Sequence, residues 1–446
     1  MIKKVHVRTI GCQMNVYDAE RMKDILRLLE YEDTEKPDDA DLVIFNTCYI
    51  REKASAKLFS EIGKLTPYKN AKKAKGQRMV IAVAGCVAQA LGDEIKSRVP
   101  FVDIVLGTQA YHRFSNALEV VLKQNSQVVD TEFPPESKFD FLPENKTNAV
   151  SAFLAVQEGC DKFCHYCVVP YTRGAEYSRP IESIMKEADI LLQQGVKEIT
   201  LLGQNVSAYH GIGKDGKTNS LSGLIHKIAD IKELTRLRIM TSHPMDITEE
   251  LIDCFANVPK LMPFFHLPVQ HGSDKILKAM NRKHDADYYK RLIERIRKKR
   301  PDIAMSSDFI AGFPGETDKD FEDMLSLVKE IGFAQAFSFK YSSRPGTPAA
   351  DMPNQIPEEI KEERLYRLQD LLRSQQLAFN RNMIGKKTKI LFDDNGKHGD
   401  KIFGRTPYMQ PAFIELTGNI RENLLGQERE VVINEAVLNN VKGKLV

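Results

Sequence analysis

One short stretch limits this chain more than any other. Gly159-Cys-Asp-Lys-Phe-Cys-His-Tyr-Cys167 places Cys160, Cys164 and Cys167 in a C-x3-C-x2-C spacing. Three thiolates this close on one loop can hold three corners of a 4Fe-4S cube, which leaves the fourth iron without a protein ligand. An iron with an open position can bind a further molecule and act on it. The spacing therefore predicts a catalytic iron-sulfur site.

Other uses of neighbouring cysteines fit this spacing less well. A structural zinc site takes four ligands, and His165, a candidate for the fourth, is wedged between Cys164 and Cys167. Ferredoxin-type electron transfer takes four cysteines per cluster, and no fourth follows nearby. The total of seven cysteines is odd, and the start of the chain predicts a strand rather than a signal peptide. Both observations argue against disulfides.

Length and composition indicate an ordinary soluble protein of several domains. The 446 residues suggest two to four domains, and 42% hydrophobic with 28% charged residues is typical of globular chains. No apolar run approaches the roughly 18 residues of a membrane span, so we expect a cytoplasmic protein without a membrane partner. The net charge of +3 neither demands nor excludes nucleic acid as a partner.

The N-terminal part alternates between strand and helix patterns. Apolar runs read as strands, and a helical pattern follows the first of them over residues 16–31, with another from about residue 51. Such alternation predicts a doubly wound parallel sheet. The predicted strands are residues 5–10, 41–45, 79–84 and 102–106.

A second set of cysteines follows three of these strands. Cys12, Cys48 and Cys86 are separated by 36 (48 − 12) and 38 (86 − 48) residues, about one strand-helix-strand step each. The carboxyl ends of parallel strands meet at one edge, where ligands bind. A lone cysteine after a strand is usually a small buried hydrophobe. Three in equivalent positions, beside Gly11 and Gly85, favour a second iron-sulfur site.

The rest of the chain divides into a linker, a second α/β region and a small β region. Residues 122–149 are polar and punctuated by proline, as in a connection between domains. Six strand patterns alternating with helices then predict a partial (β/α)6 barrel with its site at the carboxyl ends of the strands. These strands are residues 152–156, 198–202, 237–240, 263–267, 303–306 and 336–340. A helix over 358–379 leads out of the barrel, and short alternating strands from residue 386 predict a small all-β barrel.

Several strings together resemble the radical S-adenosylmethionine (SAM) methylthiotransferase family, and most of all its tRNA-modifying branch. The central string runs from Gln157 to Pro180 and has an aromatic residue, Tyr166, before the last cysteine. The strings around the N-terminal cysteines resemble the family domain that holds an auxiliary 4Fe-4S cluster, which assigns such a cluster to Cys12, Cys48 and Cys86. The C-terminal region, with Gly404-Arg-Thr406, resembles the RNA-binding TRAM domain.

Residues 308–317 resemble the glycine-rich, SAM-associated segment of the same family. This likeness assigns SAM contacts to Tyr166, Gly312, Pro314, Gly315 and Glu316. An ordinary strand-to-helix turn capped by residue 317 explains the segment equally well. The string 266–273 also resembles the family, although position 271 holds His where Ser is common.

The resemblance covers essentially the whole chain and implies four segments. Residues 1–121 are expected to form the methylthiotransferase N-terminal domain with the auxiliary cluster, and residues 122–149 the linker. Residues 150–378 are expected to form the radical SAM core, and residues 379–446 the TRAM-like RNA-binding domain.

The implied activity is a radical methylthiolation of tRNA. The cluster of Cys160, Cys164 and Cys167 would cleave SAM to a 5′-deoxyadenosyl radical, which takes an unactivated hydrogen that acid-base groups cannot remove. A second SAM would methylate a sulfur on the auxiliary cluster. The expected product carries a methylthio group at carbon-2 of N(6)-dimethylallyladenosine beside the anticodon. The partners would be the tRNA anticodon stem-loop and an electron donor such as flavodoxin or ferredoxin.

Two alternatives remain open on the sequence. Relatives in the family perform the same chemistry on threonylcarbamoyladenosine of tRNA or on an aspartate of a ribosomal protein. A hypothesis of another class is a non-catalytic iron-sulfur sensor that binds RNA. The sensor would carry clusters but release no 5′-deoxyadenosine with SAM and a reductant.

Overall fold

The computed structural model of the protein describes residues 3–49, 52–396, 400–416 and 424–446. The chain divides into two compact units. The first comprises Met1–Lys146, Glu158–Lys162 and Cys167–Arg179, and the second comprises Thr147–Gln157, Phe163–Tyr166 and Pro180–Val446. No helix within the described ranges has both the length and the apolarity needed to cross a bilayer. Residues 50 and 51, near the predicted start of a helix, lie outside the described residues.

Among its described residues up to 130, the first unit contains six strands and five α-helices. The strands are β1 (Lys3–Ile10), β2 (Tyr31–Asp33), β3 (Leu42–Thr47), β4 (Val80–Gly85), β5 (Ile104–Leu106) and β6 (Val128–Asp130). The helices are α1 (Gln13–Arg27), α2 (Glu52–Gly63), α3 (Thr66–Ala74), α4 (Cys86–Arg98) and α5 (Phe114–Gln124).

The six strands form one parallel sheet in the order β2-β1-β3-β4-β5-β6. Successive residues of β3 point to opposite faces. Ile44 packs with Leu26 of α1 in one core, and Phe45 packs with Leu58 of α2 in another. The predicted doubly wound sheet is therefore confirmed. The strand order reverses between β1 and β3, and ligands of such sheets bind at that point.

The chain then runs through both units. Its next elements are β7 (Ser151–Ala155), β8 (Gln157–Glu158), α6 (Val169–Arg173), β9 (Tyr177–Ser178), α7 (Ile181–Gln193), β10 (Glu198–Leu202), α8 (Leu221–Ala229), β11 (Arg236–Ile239), α9 (Glu249–Asn257), β12 (Phe264–His266), α10 (Asp274–Ala279) and α11 (Ala286–Lys299). The remaining elements are β13 (Ala304–Ala311), α12 (Asp318–Ile331), β14 (Gln335–Lys340), α13 (Glu358–Arg381), β15 (Lys387–Asp394), β16 (Lys401–Arg405), β17 (Pro411–Glu415), β18 (Glu428–Ala436) and β19 (Val441–Leu445).

The second unit contains the predicted partial barrel. Parallel pairing joins β7, β10 and β11 in one sheet and β12, β13 and β14 in another. A parallel bridge pairs Leu237 of β11 with Leu261, which lies just before β12. The helices that alternate with the strands contribute to one continuous apolar core. All six predicted strands are present, so the partial (β/α)6 barrel is confirmed.

The C-terminal region of the second unit is a closed five-stranded barrel in the order β15-β16-β17-β19-β18. The predicted strands at 388–392, 412–416 and 430–433 correspond to β15, β17 and β18, whereas β16 and β19 were not predicted. The predicted small all-β barrel is confirmed. Gly404 of β16 is needed at its place, because a Cβ there would lie 2.1 Å from the carbonyl oxygen of Leu391. The predicted boundaries at 121/122, 149/150 and 378/379 remain a proposal.

Two arginines of β11 hold the closed barrel against the partial barrel. Arg236 and Arg238 are fully buried. Arg236 donates to the carboxylate of Glu428 at 2.8 Å and to the carbonyl oxygens of Arg405 and Lys389 at 2.7 and 3.1 Å. We call Arg236, Arg238 and these partners the arginine clamp.

Arg238 completes the arginine clamp with contacts to the next loop of the closed barrel. Its two terminal nitrogens donate to the carbonyl oxygens of Pro407 and Thr406 at 2.8 and 2.9 Å. Its Nε lies 2.9 Å from a carboxylate oxygen of Glu198 on β10. Burial lowers the pKa of Arg238, and the charge of Glu198 opposes that shift. The clamp therefore joins β10, β11 and the closed barrel through buried charge.

We expect Arg238→Met to loosen the closed barrel. The substitution removes two charge-assisted hydrogen bonds and leaves Glu198 without this cation, a loss of about 2–3 kcal/mol. Hydrogen exchange followed by mass spectrometry should show faster exchange in β16 and β17. The control is Arg295→Met, which breaks a half-exposed pair with Glu249 on the same unit. Equal exchange in both variants would show that the clamp does not hold the barrel.

Candidate active site

The three N-terminal cysteines follow three adjacent parallel strands. Cys12 comes after β1 and caps α1, Cys48 follows β3, and Cys86 begins α4 directly after β4. Since β1, β3 and β4 are neighbours, these thiols share one edge of the sheet. Two of them flank the point where the strand order reverses. Two helix N-termini also face this edge and favour negative charge on sulfur.

The thiols interact with one another and with a buried cation. The pKa of Cys12 is lowered to about 6, because its thiolate accepts a hydrogen bond from Cys48 and lies near the charge of Arg173. Burial raises the pKa of Cys86, and the same guanidinium opposes that shift. Cys48 and Cys86 are buried, while Cys12 is exposed. The edge thus combines thiolate character with an opening to solvent.

Two asparagines and a glycine shape the backbone around these thiols. Asn15 Oδ1 accepts hydrogen bonds from the Cys12 backbone at 3.3 Å and from its sulfur at 3.2 Å. Asn15 and Asn46, both fully buried, are joined through Asn15 Nδ2 and Asn46 Oδ1 at 3.1 Å. A Cβ on Gly11 would lie 2.7 Å from the Cβ of Cys48. Small and amide side chains therefore let the loops after β1 and β3 approach closely.

A buried ion network lies in the same unit. Arg173 pairs with Asp18 at 2.7 Å and with Glu158 at 2.6 Å. Lys138 pairs with Glu158 at 2.7 Å, lies 3.8 Å from Asp18, and donates to the carbonyl oxygen of Thr108 at 2.9 Å. All four charged side chains are at most 3% exposed. Although burial alone would raise it, Lys138 and Arg173 hold the pKa of Glu158 below its ordinary value.

The donor set at the sheet edge suits an iron-sulfur cluster. Within the described ranges, no three His, Cys, Asp or Glu side chains are gathered as a single metal ion would require. In a 4Fe-4S cluster each cysteine thiolate binds a different iron. Thiolates alone are the ligands that such clusters take. By ligand type, Cys12, Cys48 and Cys86 therefore suit an iron-sulfur cluster.

The central cysteine loop is held separately in each unit. In the first unit, the backbone N–H of Cys160 donates to the carbonyl oxygen of Gly174 at 3.2 Å. Gly159 has φ +77°, and a Cβ there would lie 2.0 Å from the carbonyl oxygen of Ala175. The backbone N–H of Val169 points at the sulfur of Cys167 at 3.5 Å. These contacts fix the first and last cysteines of the motif.

In the second unit, Cys164 is buried and accepts a hydrogen bond from Arg282 at 3.7 Å. His165 is anchored by its ring, whose Nδ1 lies 2.8 Å from the carbonyl oxygen of Ala279. Tyr166 packs against a small apolar cluster that includes Phe313. The structure thus brings Tyr166 next to the glycine-rich segment, to which the family resemblance assigns SAM contacts.

The glycine-rich segment forms a tight turn between β13 and α12. Gly312 has φ +76°, and a Cβ there would lie 2.2 Å from the side chain of Lys361. Glu316 Oε2 accepts the backbone N–H of Gly312 at 2.9 Å and lies 3.1 Å from Nε2 of His271. Glu316 Oε1 accepts from Arg364 at 2.9 Å. Glu316 therefore holds the turn from within, and its side chain is fully buried.

The same segment also fits the simpler interpretation given above. Thr317 caps α12, and its side chain accepts the backbone N–H of Asp320 at 3.3 Å. A helix cap and a close backbone turn are compatible, because the cap acts at Thr317 while the turn lies at 312–315. His271 finds a partner in Glu316 and one in the backbone N–H of Ser273 at 3.0 Å. His271, which stands where the family commonly has Ser, thus has a polar partner at each ring nitrogen.

Sequence reasoning missed the charged residues that support these thiols. Arg173 and Glu158 lie inside the central string, but nothing in that string indicates that they are buried together. Lys138 belongs to a stretch predicted to be a linker. Arg282 contacts Cys164 across 118 residues. Among these residues, only Arg173 and Glu158 could have been suspected, because they lie close to the cysteine motif in the sequence.

Comparisons with known proteins first define the class. Residues 154–328 match the Radical SAM superfamily, and residues 4–107 match the family described as Uncharacterized protein family UPF0004. Among solved structures, the radical SAM methyltransferase TsrM from Kitasatospora setae has a TM-score of 0.54 at 13% identity, over 78% of this chain and 75% of that chain. The cobalamin-dependent SAM radical enzyme OxsB gives 0.54 at 12%, over 84% and 56%. At such identities these structures show a likeness of fold alone.

Curated relatives then define the family. Proteins named tRNA-2-methylthio-N(6)-dimethylallyladenosine synthase are 53% identical in Rickettsia felis and 52% identical in Rickettsia conorii and Rickettsia bellii, with full coverage of both chains. The chain belongs to this family of radical SAM transferases. Membership implies SAM and a 4Fe-4S cluster, which confirms the predicted cofactor classes. Which residues hold them remains a prediction.

Proposed function

We propose that this protein adds a methylthio group to carbon-2 of N(6)-dimethylallyladenosine beside the anticodon of tRNA, in the cytoplasm. The observation that carries the proposal is the second set of thiols, Cys12, Cys48 and Cys86, on one edge of the N-terminal sheet. A radical SAM enzyme that only cleaves SAM needs one cluster. A second all-thiolate site supplies a place for sulfur.

Each part of the chain has a distinct task in this proposal. Cys160, Cys164 and Cys167 hold the SAM-cleaving cluster, and Cys12, Cys48 and Cys86 hold the auxiliary one. When bound, these clusters supply an electron and a sulfur atom, chemistry that side chains lack. The proteins that deliver the electron belong to the flavodoxin or ferredoxin class.

The glycine-rich turn and Tyr166 supply the SAM contacts in this proposal. Gly312 and Gly315 both have positive φ. The space that a Cβ on Gly315 would take is open, so a nucleotide-like ligand can approach closely there, whereas the side chain of Lys361 packs against Gly312. Pro314, between them, is buried. Glu316 acts indirectly, because its carboxylate is occupied with the N–H of Gly312 and with Arg364. It keeps the turn in the shape that the glycines require.

The test begins with anaerobic reconstitution and an iron count. We expect about eight irons per chain, as two four-iron clusters require. The loaded protein is then given SAM, a low-potential reductant and an anticodon stem-loop with prenylated adenosine. Mass spectrometry should find the methylthio nucleoside together with 5′-deoxyadenosine.

Matched stem-loops separate the alternatives. Stem-loops with unmodified adenosine or with threonylcarbamoyladenosine should yield little or no methylthio product. Product from threonylcarbamoyladenosine alone would assign the other tRNA substrate. Two clusters and RNA binding without 5′-deoxyadenosine would indicate the non-catalytic sensor. About four irons would overturn the assignment of the N-terminal thiols.

A further inference from the structure

We propose that Arg282 is a positioning residue that sets the reduction potential of the cluster held by the central cysteine motif. Its guanidinium donates a hydrogen bond to the sulfur of Cys164. This inference rests on the proposed function, because it requires that Cys164 binds iron. It concerns how readily that cluster takes up an electron, which the ligand set alone does not determine.

The contact is direct and buried. Nη1 of Arg282 lies 3.7 Å from Sγ of Cys164, a length suited to sulfur because its radius exceeds that of oxygen. Arg282 is 7% exposed and Cys164 8% exposed. In such surroundings a full positive charge acts on the sulfur with less screening than at the surface. The pair therefore resembles a charge-assisted hydrogen bond to a thiolate.

Contacts with Pro268 and His284 help to hold the guanidinium in this orientation. Nη2 donates to the carbonyl oxygen of Pro268 at 2.6 Å, and Nε lies 3.3 Å from Nε2 of His284. Burial, with the charge of Arg282, lowers the pKa of His284 to about 4, so the ring is neutral at pH 7. Its Nδ1 lies 3.3 Å from the carbonyl oxygen of Asp285. This leaves Nε2 as the acceptor for Arg282.

The three contacts use all three nitrogens of the guanidinium. The planar fork of arginine can engage a sulfur, a carbonyl oxygen and an imidazole at fixed angles, and a lysine ammonium cannot reproduce that pattern. The positions of Pro268 and His284 therefore determine where Nη1 points. Arg282 is thus directed at Cys164 by its surroundings.

Hydrogen bonds to the sulfurs and net charge are two of the factors that set the potential of an iron-sulfur cluster. Reduction adds one electron and makes the cluster and its thiolates more negative. A nearby cation and an N–H donor stabilise the reduced form more than the oxidised form. Arg282 should therefore raise the potential and ease electron transfer from a flavodoxin- or ferredoxin-class donor.

The test is a redox titration of the full-length, reconstituted protein followed by electron paramagnetic resonance. The cluster of interest is identified as the one whose signal changes when SAM is added. For Arg282→Gln we expect the reduced-to-oxidised ratio at a fixed potential to fall about tenfold, equivalent to about 59 mV for a one-electron couple. Arg282→Lys keeps the charge but loses the fork, so we expect a smaller fall, about threefold.

The matched control is Lys283→Gln, which removes one exposed positive charge at the adjacent position. The ammonium of Lys283 contacts Asn281 at 2.6 Å, and we expect no change in the titration. Normal iron content with an unchanged potential in Arg282→Gln would overturn the proposal. If Arg282→Gln does not assemble its clusters, normal iron content with an unchanged potential in Arg282→Lys would overturn the proposal instead. A wild-type protein without a SAM-sensitive signal would instead overturn the proposed function.

Discussion

Protein with Cys12→Ala should still cleave SAM but make no methylthio product, whereas protein with Cys160→Ala should do neither. The first substitution removes a ligand of the proposed auxiliary cluster and leaves the central motif intact. The second removes a ligand of the SAM-cleaving cluster. We expect each loss to exceed the roughly 10–100-fold effect of deleting a residue that only supports a metal ligand. Chromatography of 5′-deoxyadenosine and mass spectrometry of the tRNA nucleosides measure the two activities.

Cys254→Ala is the matched control for both variants. Cys254 is a buried cysteine of α9, and its sulfur lies 4.0 Å from the carbonyl oxygen of Ser222. It belongs to neither cysteine set, so both activities should persist. Full product from Cys12→Ala would remove the basis for the auxiliary cluster. Normal SAM cleavage by Cys160→Ala would remove the basis for the central one.

Lys138→Met should destabilise the first unit by about 3–5 kcal/mol, the usual cost of breaking a buried ion pair by deleting one partner. Methionine has a similar length, so the change removes the charge more than the volume. Asp18 and Glu158 would then share a single cation, Arg173. Because the chain contains no tryptophan, hydrogen exchange of β1 and β3 is the suitable measurement. The free energy of opening that exchange reports for β1 and β3 should fall by the same amount.

Lys123→Met provides the same substitution at the surface of the same unit. Lys123 pairs with Glu119 at 2.6 Å on α5, and both side chains are largely exposed. Water and salt screen such pairs, so exchange should remain as in the wild type. Equal exchange in both lysine variants would mean that burial adds nothing to the Lys138 network.

The fold could be predicted wherever the local sequence pattern and the packing against neighbouring elements favour the same secondary structure. The strand before each N-terminal cysteine was found because an apolar run ends in small residues. The helix α1 was predicted too long, to residue 31, because its apolar spacing continues through Leu29. In the structure Glu30 adopts φ +61°, and Tyr31, the first residue of β2, pairs with Lys3 of β1. Pairing with a distant strand thus overrides the local periodicity.

Elements that depend on distant partners could not be predicted. Strand β6 lies within the predicted linker, and its three residues pair with β5 at the edge of the sheet. Lys138 looks like a solvated linker residue until Asp18 and Glu158 are seen beside it. Strand β19 contains two lysines and a glycine, which weaken its pattern. Its place is fixed by pairing with β17 and β18.

The candidate site shows the same division. Spacing and strand ends were sufficient to single out the six motif cysteines, since thiols after parallel strands share an edge. The arginines that act on them carry no such signal. The arginine clamp is a second case, since the sequence predicts β11 as a strand but does not indicate what its arginines bind. In the structure both arginines are covered by the closed barrel and bind its carbonyl oxygens.

The arginine clamp has a consequence for how a long RNA would be read. Buried guanidinium groups bind main-chain oxygens of β15, β16 and the loop after β16, so the closed barrel, which the family resemblance assigns to RNA binding, is tied to the partial barrel. The separation between the surface that holds the RNA and the mouth of the partial barrel is then constant. In the proposed function, a nucleotide would then be selected by its distance along the stem-loop as well as by its prenyl group. Lengthening the stem by one base pair would move the target adenosine out of reach while leaving its chemistry unchanged.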